Sequence, residues 1–83
     1  MITSEQIRAA RMLLDWNQDQ LAQRAELGIA TVKRLEAKSG PVSGQADTVW
    51  KIQKALEDGG VLFLSGDADF GPGVRLSRPG RWT

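Results

Sequence analysis

A chain of 83 residues has room for one small hydrophobic core, and not for a second core or a large substrate cleft. Hydrophobic residues at 41% and charged residues at 25% are those of an ordinary folded domain; with neither cysteine nor histidine, disulfides, imidazole or thiolate metal sites, and Ser-His-Asp or Cys-His catalysis are all excluded. The net charge of +1 decides nothing, because a nucleic-acid binder is marked by where its charge clusters.

No apolar run approaches the ~20 residues of a membrane span, and no basic-then-apolar leader opens the chain, so the expectation is a cytoplasmic domain without membrane association. Thr3 with Gln6 forms a capping-box pattern, with Ile2 and Ile7 placed as a hydrophobic staple. Helix 1 is therefore expected from about Ser4 to Asp15, with Ile7, Ala10 and Leu14 inward and Trp16 anchoring the core. Asn17 and Gln20 repeat the capping box, which starts a two-turn helix 2 over 17–25 with Leu21, Ala22 and Ala25 inward.

A break near Glu26 and Gly28 leads to helix 3 over 29–38, where Ile29, Val32 and Leu35 alternate with Lys33, Arg34 and Glu36. Ser39 and the residues to Gly44 read as a loop. Helix 4 follows over 46–58 with Val49, Ile52, Ala55 and Leu56 inward, and the Gly59-Gly60 pair supplies left-handed positions to end it. Val61, Leu62, Phe63 and Leu64 read as a strand, and Gly73 to Leu76, containing Val74, as its hairpin partner. The fold class is thus mainly α: four or five short helices and a C-terminal β-hairpin, divided as a helical domain over 1–60, the hairpin over 61–77 and a basic tail over 78–83 that frays unless a partner orders it.

Two short helices joined by a tight turn, the second exposing basic residues, suit a helix that enters the DNA major groove while its neighbour braces on the backbone. At residues 17–41 the sequence NQDQLAQRAELGIATVKRLEAKSGP resembles the helix-turn-helix of the lambda-repressor-like regulators, the Xre family, and the resemblance extends over roughly 3–56. It implies a lambda-repressor-like bundle that binds double-stranded DNA without a cofactor. Carried over position by position, the base-reading places fall on Ile29, Ala30, Lys33 and Arg34, and backbone contacts on Asn17, Gln18, Thr31 and Lys38. The family often joins helix 1 to helix 3 through an arginine and a glutamate; Arg11 and Glu36 stand at those places. Two departures are Glu26, where the turn usually has glycine, and Gly28, where helix 3 usually has a serine or threonine cap.

Charged residues on a helix are more often a solvated face than a site, and Lys33 with Arg34 gains meaning only from the surrounding motif. Gly66 to Gly73 lacks the lysine and hydroxyl residue of a phosphate loop, and Asp67 with Asp69 lacks the further ligands of a calcium loop. Arg75, Arg78 and Arg81, with Trp82, make the chain end basic and suited to phosphates, or else simply solvated.

A two-stranded hairpin is marginal alone, so Val61, Leu62, Phe63, Leu64, Val74 and Leu76 need a helix or a second subunit to cover them. Dimerisation through this hairpin is the expectation, and with it a repressor that holds two recognition helices on an inverted-repeat operator. The competing reading is an antitoxin or adaptor whose hairpin binds a protein partner by strand addition.

Overall fold

The computed structural model of the chain describes residues 2–77; the tail over 78–83, and the expectations attached to it, lie outside these residues. Four helices, α1 (Ser4–Leu13), α2 (Gln18–Ala25), α3 (Ile29–Glu36) and α4 (Ala46–Gly59), precede strands β1 (Val61–Leu64) and β2 (Gly73–Leu76). Among the described residues no helix is long and apolar enough to cross a membrane.

Both expected capping boxes are present. Thr3 Oγ1 accepts the Gln6 N–H at 3.0 Å while Gln6 Oε1 accepts that of Thr3 at 2.8 Å, and Asn17 with Gln20 repeats the exchange at 2.8 Å each way. Ile2 and Ile7, the staple pair, are both buried.

The helix ends show what the sequence conceals. α1 closes on Asp15 at φ 57°, with Trp16 N–H bonded to the Arg11 carbonyl at 3.0 Å and Asp15 N–H to that of Met12 at 3.1 Å. α2 closes the same way on Glu26 at φ 58°, with Leu27 N–H on Ala22 at 2.9 Å and Glu26 N–H on Gln23 at 3.2 Å. This crossed pair of bonds satisfies two terminal carbonyls and needs a left-handed residue, usually glycine. Here an acidic residue takes the place both times, so Glu26 tolerates the conformation rather than avoiding it.

Two expected boundaries move. α3 stops at Glu36, two residues before Lys38, and Arg8 from α1 satisfies the Glu36 carbonyl at its end and the Lys38 carbonyl just beyond. Gly59 is helical, and only Gly60 adopts the left-handed conformation, at φ 113°. Gly59 serves close approach instead: a Cβ there would lie 2.7 Å from Trp16 Cη2 and 2.8 Å from Leu14 Cδ1. Trp16 accordingly caps the edge of the core, half-buried, with the Arg24 guanidinium 4.7 Å over its ring.

The core joins Ile7 and Ala10 of α1, Leu21, Ala22 and Ala25 of α2, Val32 and Leu35 of α3, and Ile52, Ala55 and Leu56 of α4. Val42 is buried with them, so the connection after α3 is not a free loop; it is stitched to the chain start by Ser4 N–H on Gly40 and Val42 N–H on Ile2, both at 3.0 Å.

β1 and β2 pair antiparallel, Val61 opposite Leu76, Leu62 opposite Arg75, Phe63 opposite Val74 and Leu64 opposite Gly73. Of the two covers the sequence leaves open for the hairpin, a helix or a second subunit, the chain supplies the first. Val61 is buried in the core and Phe63 and Val74 pack against it, whereas Leu62 and Leu64 face outward, 46% and 41% exposed. Gln6 fixes the docking, its Nε2 donating to the carbonyls of Leu64 at 3.0 Å and Gly73 at 2.9 Å.

Candidate functional site

α3 has two unlike sides. Ile29, Ala30, Lys33 and Arg34 are exposed, while Val32, Leu35 and Glu36 are buried and Thr31 lies between. Positions i, i+1, i+4 and i+5 are neighbours on a helix, and with 3.6 residues per turn the four exposed residues cover an arc of about 140°. Ile29, at 38% exposed, stands in the first turn with Ala30, and Lys33 and Arg34 follow one turn on, which makes the first turn of this side apolar and the second basic. Among the described residues neither Lys33 nor Arg34 is engaged by another side chain.

The buried side of α3 is held by polar as well as apolar contacts. The Glu36 side chain, 3% exposed, accepts from Arg11 Nε at 2.9 Å and Arg11 Nη2 at 3.0 Å, and from Gln18 Nε2 at 3.2 Å. Arg11 Nη1 also donates to the Trp16 carbonyl at 3.0 Å, so one guanidinium ties α1, its C-terminal turn and α3 together. A planar guanidinium suits this fork, which a lysine would not reproduce.

Further contacts come from α1. Buried Ser4 donates its hydroxyl to the Leu35 carbonyl at 2.6 Å. Arg8 Nη1 donates to the Glu36 carbonyl and, at 3.0 Å, to that of Lys38, placing a cation at the negative end of α3. Just beyond, Glu5 accepts from the Ser39 hydroxyl at 2.6 Å and the Gly40 N–H at 3.0 Å. These bonds, led by the Ser39 hydroxyl, hold the Glu5 carboxyl down at about 2 against burial acting the other way.

Gln18, half-buried, is placed differently from a free phosphate ligand: its side-chain amide is committed to Glu36. Asn17 uses its side-chain oxygen to cap α2, and Lys38 lies past the end of α3 with its side chain exposed. Arg8 and Ser4 carry no sequence signal strong enough to single them out, although Arg8 stands three residues before Arg11 and hence on the same helical face.

The hairpin presents a second exposed apolar group. Besides Leu62 and Leu64, Phe70 in the connecting loop is 76% exposed. That loop is ordered by Asp67, whose carboxylate accepts the N–H groups of Asp69 and Phe70 at 2.8 Å each. Those bonds, Phe70 first, lower the Asp67 pKa, which accounts for the acid in structural terms.

The chain matches no model of a known protein family and no curated protein.

Proposed function

We propose that the chain is a sequence-specific DNA-binding regulator of the lambda-repressor-like, or Xre, type, acting as a repressor rather than as an enzyme. α2, the turn through Glu26 and α3 then form its helix-turn-helix, with α3 as the recognition helix in the major groove. The observation that carries this reading is the two-sided character of α3: Ile29, Ala30, Lys33 and Arg34 are exposed and unengaged, while the opposite side is clamped by Arg11, Gln18, Ser4 and Arg8. A base-reading helix needs both a free face and a fixed angle.

In this reading Arg34 and Lys33 donate to acceptors on guanine edges, and Ile29 and Ala30 pack on thymine methyl groups. Thr31 and Lys38 meet the sugar-phosphate backbone. Gln18 acts there through its backbone N–H at the α2 N-terminus, because its side chain is occupied by Glu36, and Asn17 through its side-chain amino group, because its own N–H is taken by Gln20. A homodimer places two recognition helices about 34 Å apart on an inverted repeat.

Selection of bound sequences from a random duplex pool tests the proposal. It predicts one enriched half-site, repeated in inverted orientation at a fixed spacing, with affinity falling steeply as salt rises. A pool that stays random rejects it. The second reading, a protein-binding module such as an antitoxin or adaptor, is favoured by the outward Leu62, Leu64 and Phe70, and predicts that their replacement leaves DNA selection intact.

A further inference from the structure

Resting on the homodimer in the function proposed above, we infer which edge of the hairpin joins the two copies and in what register: β1 pairs with the β1 of a second copy around a two-fold axis at Phe63. The backbone pattern carries the first step. Ser77 N–H bonds the Gly60 carbonyl at 2.8 Å, one position beyond the Val61–Leu76 pair. Hydrogen-bonded pairs alternate along an antiparallel ladder, so Leu62–Arg75 and Leu64–Gly73 are hydrogen-bonded pairs as well. The bonds from the single Gln6 amide to both the Leu64 and Gly73 carbonyls agree, since those oxygens converge only in such a pair. The N–H and C=O groups of Val61 and Phe63 therefore point away from β2, toward the free edge of β1.

Charge and sequence choose between the two edges. β2 carries Arg75 on its outer face and follows Pro72, both features that discourage edge pairing. β1 and the following Ser65 contain no charge and no proline. At its C-terminal end β1 borders an open groove shared with Ile2, Gln6, Gln53 and Glu57, so Phe63 and Ser65 are not covered there by α4.

Any register with the axis on a residue of β1 keeps inner faces with inner faces. With the axis at Phe63, Phe63 pairs with itself, Val61 with Ser65, and Leu62 with Leu64 of the other copy, which gathers the four exposed leucines into one cluster. With the axis at Leu62, Leu64 is set against Gly60, whose φ of 113° removes it from extended backbone. An axis at Val61 sets Leu62 against the same Gly60, and an axis at Leu64 sets Leu62 against Gly66, two residues past the end of β1, so the Phe63 register keeps the most extended backbone paired. Pairing over five residues is well short of the roughly 800 Å² per partner of a stable interface, so the dimer is weak and depends on concentration until DNA aligns it.

The chain has no cysteine, so introduced thiols report without background. Leu62→Cys and Leu64→Cys, both at exposed positions, are purified separately, one carrying a tag, then mixed at high concentration and oxidised. Opposite residues of a non-hydrogen-bonded pair stand about 4.5 Å apart at Cα, within disulfide reach. The expected result is a mixed Leu62→Cys to Leu64→Cys disulfide at least fivefold above either symmetric product, together with at least a tenfold weaker self-association of Leu62→Lys by sedimentation. A dominant symmetric product of either variant overturns the register. A dimer in sedimentation without any of these disulfides, and unaffected by Leu62→Lys, overturns the edge while leaving the homodimer standing; a monomer at hundreds of micromolar, on and off DNA, overturns both.

Discussion

Glu36→Ala is the most informative single perturbation of the recognition helix. It removes one carboxylate that accepts two bonds from Arg11 and one from Gln18, in a side chain only 3% exposed. Breaking a buried ion pair by deleting one partner costs about 3–5 kcal/mol, most of it from the charge left without its counterpart. Arg11 keeps its bond to the Trp16 carbonyl and is 17% exposed, so water reaches part of the guanidinium and the lower end, about 3 kcal/mol, applies. Urea denaturation of Glu36→Ala, Arg11→Ala and the double variant measures this through the midpoint at constant slope. The expected double-mutant coupling is about 2 kcal/mol. The apolar replacement Arg11→Met with Glu36→Leu separates strength from orientation, because well-packed apolar pairs often match a buried ion pair in stability. That variant is expected to regain most of the stability while binding DNA less selectively. A coupling below about 0.5 kcal/mol refutes the claim that this pair holds α3 to α1.

Three further outcomes follow from particular residues. Glu26→Gly relieves a left-handed glutamate and removes a negative charge from the C-terminal end of α2, so thermal or urea unfolding is expected to show a gain of about 0.5–1 kcal/mol; a loss contradicts the assigned turn. Gly59→Ala places a methyl against Trp16 and Leu14, and overpacking outweighs the gain in helix propensity, for a net loss of about 1 kcal/mol with a changed near-ultraviolet tryptophan signal. For Glu5 the folded pKa is depressed, so its contribution to stability is complete above its ordinary value of 4.5 and is lost as pH falls toward about 2. An NMR titration is expected to find the carboxyl near that lower value and to see it rise in Ser39→Ala; an unchanged titration in the variant removes the Ser39 hydroxyl as the main cause.

Local chemistry made much of the fold readable. The starts of α1 and α2 are written in their capping boxes, and both strands lie where the short apolar run from Val61 to Leu64 and the Gly60, Gly66 and Pro72 breaks put them. What stayed hidden depends on contacts between distant segments. Nothing near Glu36 announces that Arg8, 28 residues earlier, satisfies the carbonyl at the end of α3. Asp15 and Glu26 break the glycine habit of left-handed helix ends, so their geometry follows from the crossed backbone bonds and the packing of Leu27.

The candidate site divides in the same way. The exposed arc of α3 follows from helical spacing alone, since Val32 and Leu35 must face the core and thereby turn Lys33 and Arg34 outward. That Gln18 is drawn onto Glu36, and that Gln6 closes the hairpin after capping its own helix, requires segments distant in sequence to be brought together. Periodicity along one segment carries no information about that.

The claim that α3 reads DNA bases is tested most directly by comparing the base preference of the chain with that of Arg34→Ala on the selected half-site, one position at a time. The account predicts a loss of about 1–3 kcal/mol confined to one base pair, whose preference relaxes while the others are kept. A uniform loss at all positions, or an unchanged preference, would contradict it.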